Sequence, residues 1–176
     1  MASRYRHFTQ DELTPEQAKV WNAVASHRKG RMPAPFHVLL ESPELCGLVQ
    51  AVGAFCRYRT GLSPRLSELA ILTVARFWNC AYETAVHTPE ARNAGVPEHE
   101  IAAIAEGRRP DFTDNDAALV YAYVTELLQN RDVSDTTHAA AVARFGAKTT
   151  VELSALAGYY TLLALTMLAA RVEPTA

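Results

Sequence analysis

The chain has 176 residues, 49% of them hydrophobic and 20% charged, with a formal net charge of −2. At this length roughly 70% of the unfolded surface can be buried, which predicts one domain over residues 1–176 and excludes disordered and fibrous classes. The near-neutral charge balance leaves no electrostatic footprint for nucleic acid.

Helical signals follow one another along the whole chain. Thr14-Pro15-Glu16-Gln17 combines an N-cap, a proline at the first helical position and a capping-box glutamine, opening a helix to about His27. Gly30-Arg31-Met32-Pro33-Ala34-Pro35 then reads as a loop. Ser42-Pro43-Glu44 starts a second helix to about Thr60, and Ser63-Pro64 a third toward Trp78. The segment from Cys80 to Asn93 ends at Ala94-Gly95, and Val96-Pro97-Glu98 opens a short helix to Glu106. A helix follows from about Asp114 to Asn130. Ser134 caps another that ends at Phe145-Gly146, and Thr149-x-x-Glu152 reads as a second capping box. No segment has the apolar alternation and flanking turns of a strand. The expected fold is all-α, a compact bundle of about seven or eight helices.

The uncharged run from Ser154 to Ala170 reaches the short limit of a membrane span, about 17 residues. It carries Ser, Gly, Tyr and Thr between Glu152 and Arg171, so a helix buried in a core or between subunits is predicted, and no membrane. Such an apolar helix points to a homo-oligomer. The amino-terminal residues contain no apolar secretion segment. Cys46, Cys56 and Cys80 form no CxxC pair and no zinc-type spacing, as in a cytoplasmic protein with reduced thiols.

Candidate chemistry concentrates between Arg65 and Gly95. Cys80, Glu83 and His87 stand at i, i+3 and i+7, rotations of about 300° and 700° that put a thiol, a carboxylate and an imidazole on one helical stripe. Helical side chains lean toward the N-terminus, so His87 points back over Glu83. Glu83 favours the imidazolium, the arrangement of an oriented general acid or base. A charged His87 would in turn lower the Cys80 thiol pKa. Glu68, one helix earlier, reaches the same place if the two helices meet. A metal on Glu68, Glu83 and His87 would lack the second histidine such sites use, because His99 and His138 bear no helical relation to the stripe, so none is predicted. His37 fits a pocket mouth but reads better as an incidental loop histidine, and Trp78, Tyr159 and Tyr160 fit an apolar pocket wall but read better as core aromatics.

The pattern Glu68-x11-Cys80-x2-Glu83-x3-His87, followed by Ala91 and Gly95 within a motif core of residues 65–106, resembles the carboxymuconolactone decarboxylase family, which includes the AhpD-like alkylhydroperoxidases. The resemblance implies an AhpD-like helical bundle assembled as a trimer or hexamer. Its peroxidase members carry a CxxC pair with a nearby histidine. Here Tyr82 stands at the relay-histidine position and Glu83 at that of the second cysteine, so an intramolecular dithiol cycle is unsupported. Decarboxylase members are similar in keeping Glu-x3-His, matched by Glu83 and His87. The expected function is therefore acid–base chemistry, decarboxylation or a related proton transfer, on a small lactone or oxo acid without a cofactor. His87, Glu83, Cys80 and Glu68 are the candidate catalytic residues. Tyr82 and Arg65 are the candidate substrate-binding residues, with Arg57, Arg59 and Arg76 as other arginines near the motif. The alternatives are a thiol peroxidase using Cys80 and a non-catalytic helical oligomer that binds a small ligand.

Overall fold

The computed structural model describes residues 3–26 and 30–174. Among them are eight α-helices, one 3-10 turn at Gln10–Glu12 and no strand. The helices are α1 (Pro15–Ser26), α2 (Ala34–Leu39), α3 (Pro43–Tyr58), α4 (Pro64–Phe77), α5 (Ala81–Asn93), α6 (Glu98–Ala105), α7 (Asn115–Asn130) and α8 (Asp135–Ala170). The expected end of the first helix at His27 lies outside the described residues.

Local chemistry sets most of these boundaries. At α1 the Gln17 N–H donates to Thr14 Oγ1 at 3.3 Å and Gln17 Oε1 accepts the Thr14 N–H at 3.0 Å, a closed capping box. Ser63 accepts the Leu66 N–H at the start of α4, and Ser134 that of Thr137 at the start of α8.

Three local readings are corrected. The expected loop at Gly30–Pro35 gives way at Ala34 to α2, in which proline occupies the first turn without loss of a hydrogen bond. The two expected helices after Ser134 meet as the halves of α8, broken only at Gly146, whose φ of 82° and ψ of 155° suit glycine alone. The second capping box does not form. Glu152 instead accepts the Gly61 N–H at 2.8 Å and the Lys148 ammonium at 2.5 Å, tying α8 to the turn before α4.

Helix α4 is the centre of the bundle and packs on α5, α6, α7 and α8. All ten residues from Leu66 to Ala75 are buried, as expected of a helix with no solvent face. Leu69, Ile71 and Val74 are each at most 1% exposed. Burying a side chain of this kind stabilises the fold by about 1.5–3 kcal/mol. Helix α8 is long and apolar enough to cross a membrane by length and composition, yet half of its most apolar window is buried. It packs on α2, α3, α4 and α7, turning Leu156, Tyr160, Leu163 and Met167 inward.

Glu100, on α6, is fully buried, and neither carboxylate oxygen has a hydrogen-bond partner. Burial pushes its carboxyl up against the opposing pull of Arg65 and His99. Because the folded state holds this proton more tightly than the unfolded chain, the associated stability is complete below the ordinary carboxylate range and is lost as pH rises through the folded value. Glu100→Met is therefore expected to raise unfolding free energy by about 1–3 kcal/mol at neutral pH and by less near pH 4. Denaturant unfolding across this range checks it; a pH-independent difference would contradict the account.

Candidate active site

Glu68 lies in the first half of α4, where every neighbouring position is buried, so its carboxylate must find a partner inside the bundle. That partner is His87 on α5. His87 Nδ1 lies 2.7 Å from Glu68 Oε2, and His87 Nε2 lies 3.2 Å from Glu83 Oε2. All three residues are under 9% exposed, and the imidazole is 2% exposed. Burial alone pushes His87 down, but its hydrogen bonds and charge contacts with Glu68 and Glu83 win and raise it to about 9. At neutral pH the cluster is an imidazolium held between two carboxylates, with both ring nitrogens donating.

Glu83 and His87 line a pocket of about 590 Å³. Its other walls are Phe36 of α2, Arg57 and Tyr58 of α3, Tyr82 and Glu90 of α5, and Tyr159 and Tyr160 of α8, with Arg31 in the α1–α2 connection. The Tyr160 ring stands edge-on to His87 at 5.1 Å and perpendicular to Tyr159 at 5.2 Å. Burial, reinforced by the Glu83 charge, keeps the Tyr160 phenol well above its ordinary value, and burial raises Tyr82 as well. Both are neutral donors at physiological pH. The Tyr82 oxygen accepts the Ala34 N–H at 3.3 Å, leaving its own proton available to the pocket. Arg57 pairs loosely with Glu90 at 3.8 Å.

The structure thus brings together Glu68, Glu83, His87 and Tyr82, and separates two other expected residues from them. Cys80 is the N-cap of α5, 1% exposed, and does not line the pocket. Burial pushes its thiol up, outweighing the backbone N–H groups of Glu83 and Tyr82. The expected activation by a charged His87 is corrected accordingly. Arg65 is also away from the pocket, paired with Asp114. Arg57 is the arginine of the motif region that reaches the wall, because the cavity opens between α3 and α5 rather than at the start of α4.

Tyr159 and Tyr160 are pocket residues as well as core aromatics. Their only trace in the sequence is a tyrosine pair inside an otherwise aliphatic helix. Trp78 is no part of the pocket and donates to Thr161 Oγ1 at 3.1 Å. His37 is a buried residue of α2 that accepts the Phe8 N–H at Nδ1 and packs on Trp21, anchoring the amino-terminal arm. Among the described residues no group of three or more His, Cys, Asp or Glu is arranged to hold a metal ion.

The family model for the carboxymuconolactone decarboxylase family matches residues 43–126, from the start of α3 into α7. No curated protein matches the chain. Among solved structures, the chain is similar to a peroxidase-related protein from Silicibacter sp. TM1040, with a TM-score of 0.80 and 13% identity over 99% of this chain and 92% of that one. It is also similar to the debrominase Bmp8, with a TM-score of 0.74 and 15% identity over 96% of this chain and 90% of that one. At these identities the two structures establish the all-helical fold alone. The segment similar to the carboxymuconolactone decarboxylase family, residues 43–126, includes Glu68, Glu83 and His87.

Proposed function

We propose that the protein is a cofactor-free acid–base enzyme that decarboxylates, or moves a proton within, a small conjugated lactone or oxo acid. The observation that carries this reading is His87 in the wall of a pocket, held at both ring nitrogens by Glu68 and Glu83 and sharing that pocket with Arg57. Its two protons are not equivalent. The Nδ1 proton is held at 2.7 Å by Glu68, which does not line the pocket. The Nε2 proton is held more loosely, at 3.2 Å, by Glu83, which does. The Nε2 proton is the one that can leave toward a bound molecule.

The reaction then needs few parts. Arg57 anchors a substrate carboxylate by charge-assisted hydrogen bonds. As carbon dioxide departs, the electron pair of the broken C–C bond enters the substrate's own conjugated carbonyl. Tyr82 and Tyr160 are the neutral donors for the oxygen on which charge develops. The His87 Nε2 proton goes to carbon, and solvent restores it. Glu68 acts through His87 as a positioning residue. The position and raised pKa of Cys80 weigh against a peroxidatic thiolate. Self-association belongs to the same reading, supported by exposed apolar stripes at Leu45, Leu48 and Val52 on α3 and Leu162, Leu165 and Leu168 on α8.

A carbon-dioxide-release screen over conjugated lactones and oxo acids tests the assignment. With a turned-over substrate, His87→Ala and Glu83→Gln are expected to lower kcat by about 10²–10⁴-fold. Cys80→Ala should leave it nearly unchanged. Loss of turnover in Cys80→Ala alone, with peroxide consumed by the parent protein, would replace this reading with thiol redox chemistry. Arg57→Met is expected to raise KM by about tenfold or more, while Arg65→Met leaves it unaltered.

The pH profile is a separate check. Since His87 must be protonated to donate, kcat should be flat through neutral pH and fall as pH rises past about 9. Glu68→Gln removes one of the charges that raise the imidazole, so it should move this falling limb to lower pH. A limb that stays in place would remove Glu68 from the proton's environment.

A further inference from the structure

Helix α5 separates two cavities. One side, Tyr82, Glu83, Val86, His87 and Glu90, faces the pocket described above. The other side faces a larger cavity of about 830 Å³ between α4, α5 and α6. Its walls are mainly aliphatic, including Leu72, Ala75, Ala85, Ile101 and Ile104. Two guanidinium groups reach it. Arg92 is already neutralised by a bidentate pair with Glu98, both bonds at 2.7 Å.

Arg76 is not neutralised. Its one hydrogen bond among the described residues goes to the side-chain carbonyl of Asn79, a neutral acceptor. Its Nε–H is buried with no partner at all. The guanidinium is wedged beneath Gly107, where a Cβ would come within 2.8 Å of Nη2 and where φ is +75°. A smaller cavity of about 220 Å³ opens on the other side of the same group. Arg76 is half-buried, so water reaches part of its guanidinium, but its buried Nε–H is costly as long as no acceptor meets it. The positive φ at Gly107 calls for glycine by itself, and the missing Cβ also leaves room for the guanidinium.

We propose that this second cavity binds an amphipathic carboxylate, its apolar body against α4, α5 and α6 and its carboxylate on Arg76. The chemistry follows from the walls: aliphatic surface calls for a hydrocarbon body, and a single unpaired guanidinium calls for one anionic head. The site is distinct from the pocket that holds His87 and carries none of its acid–base groups, so it binds rather than transforms.

Isothermal titration of the full chain with decanoate tests the proposal. Saturable binding is expected, weakened at least tenfold in Arg76→Met. Ala85→Trp, which fills the cavity from an exposed position on α5, should abolish it. Arg57→Met, which changes the other pocket, should leave it intact. Three results would overturn the proposal: no saturable binding, binding indifferent to both Arg76→Met and Ala85→Trp, or binding lost in Arg57→Met, which would put decanoate beside His87. Because Ala85 is exposed, that variant still reports if Arg76→Met does not fold.

Discussion

The buried bond between Glu68 and His87 is the constraint on which the site depends. A carboxylate in the middle of a helix with no solvent face is tolerable only if an opposite charge meets it, and His87 of α5 supplies one at hydrogen-bond distance. The bond at 2.7 Å therefore sets how α5 lies on α4. It also fixes the imidazole ring and decides which nitrogen faces the pocket. Glu83 completes the arrangement from one turn earlier on the same helix, so a single imidazole is shared by a between-helix and a within-helix contact.

Stability and reactivity draw on the same charges. The contacts with Glu68 and Glu83 that raise His87 also tie α4 to α5, so in the proposed reading the same bonds serve the core and the proton donor. Tyr160 contributes in the same double sense, as a packed aromatic of α8 and as a phenol held neutral beside an anionic cluster. Cys80 illustrates the opposite outcome. The N-cap position places it next to the site in sequence, yet its side chain is buried and lines no part of the pocket.

Helix α5 has no apolar face of the ordinary kind. It alternates a stripe of ionisable and aromatic groups with a stripe of alanine, threonine and proline, and each stripe fronts its own cavity. The core that most amphipathic helices rest on is supplied here by α4, whose all-round burial lets α5 serve as a partition. Arg57, on the reactive side, has a nearby carboxylate in Glu90, whereas Arg76, on the other, has only a neutral amide.

The sequence by itself determined the all-helical fold, nearly every helix start and the Glu83–His87 stripe, because caps, prolines and the 3.6-residue period act within a turn or two. It could place Glu68 near that stripe only on the condition that two helices meet. Tertiary packing met the condition, and it alone decided that Arg57 rather than Arg65 reaches the pocket, that Tyr159 and Tyr160 line it, and that Cys80 is shut away. It also merged the last two helices across Gly146 and turned Glu152 from a cap into a tether for Gly61. These outcomes depend on which face of one helix meets which face of another, and such contacts link residues far apart in the chain that no local periodicity relates.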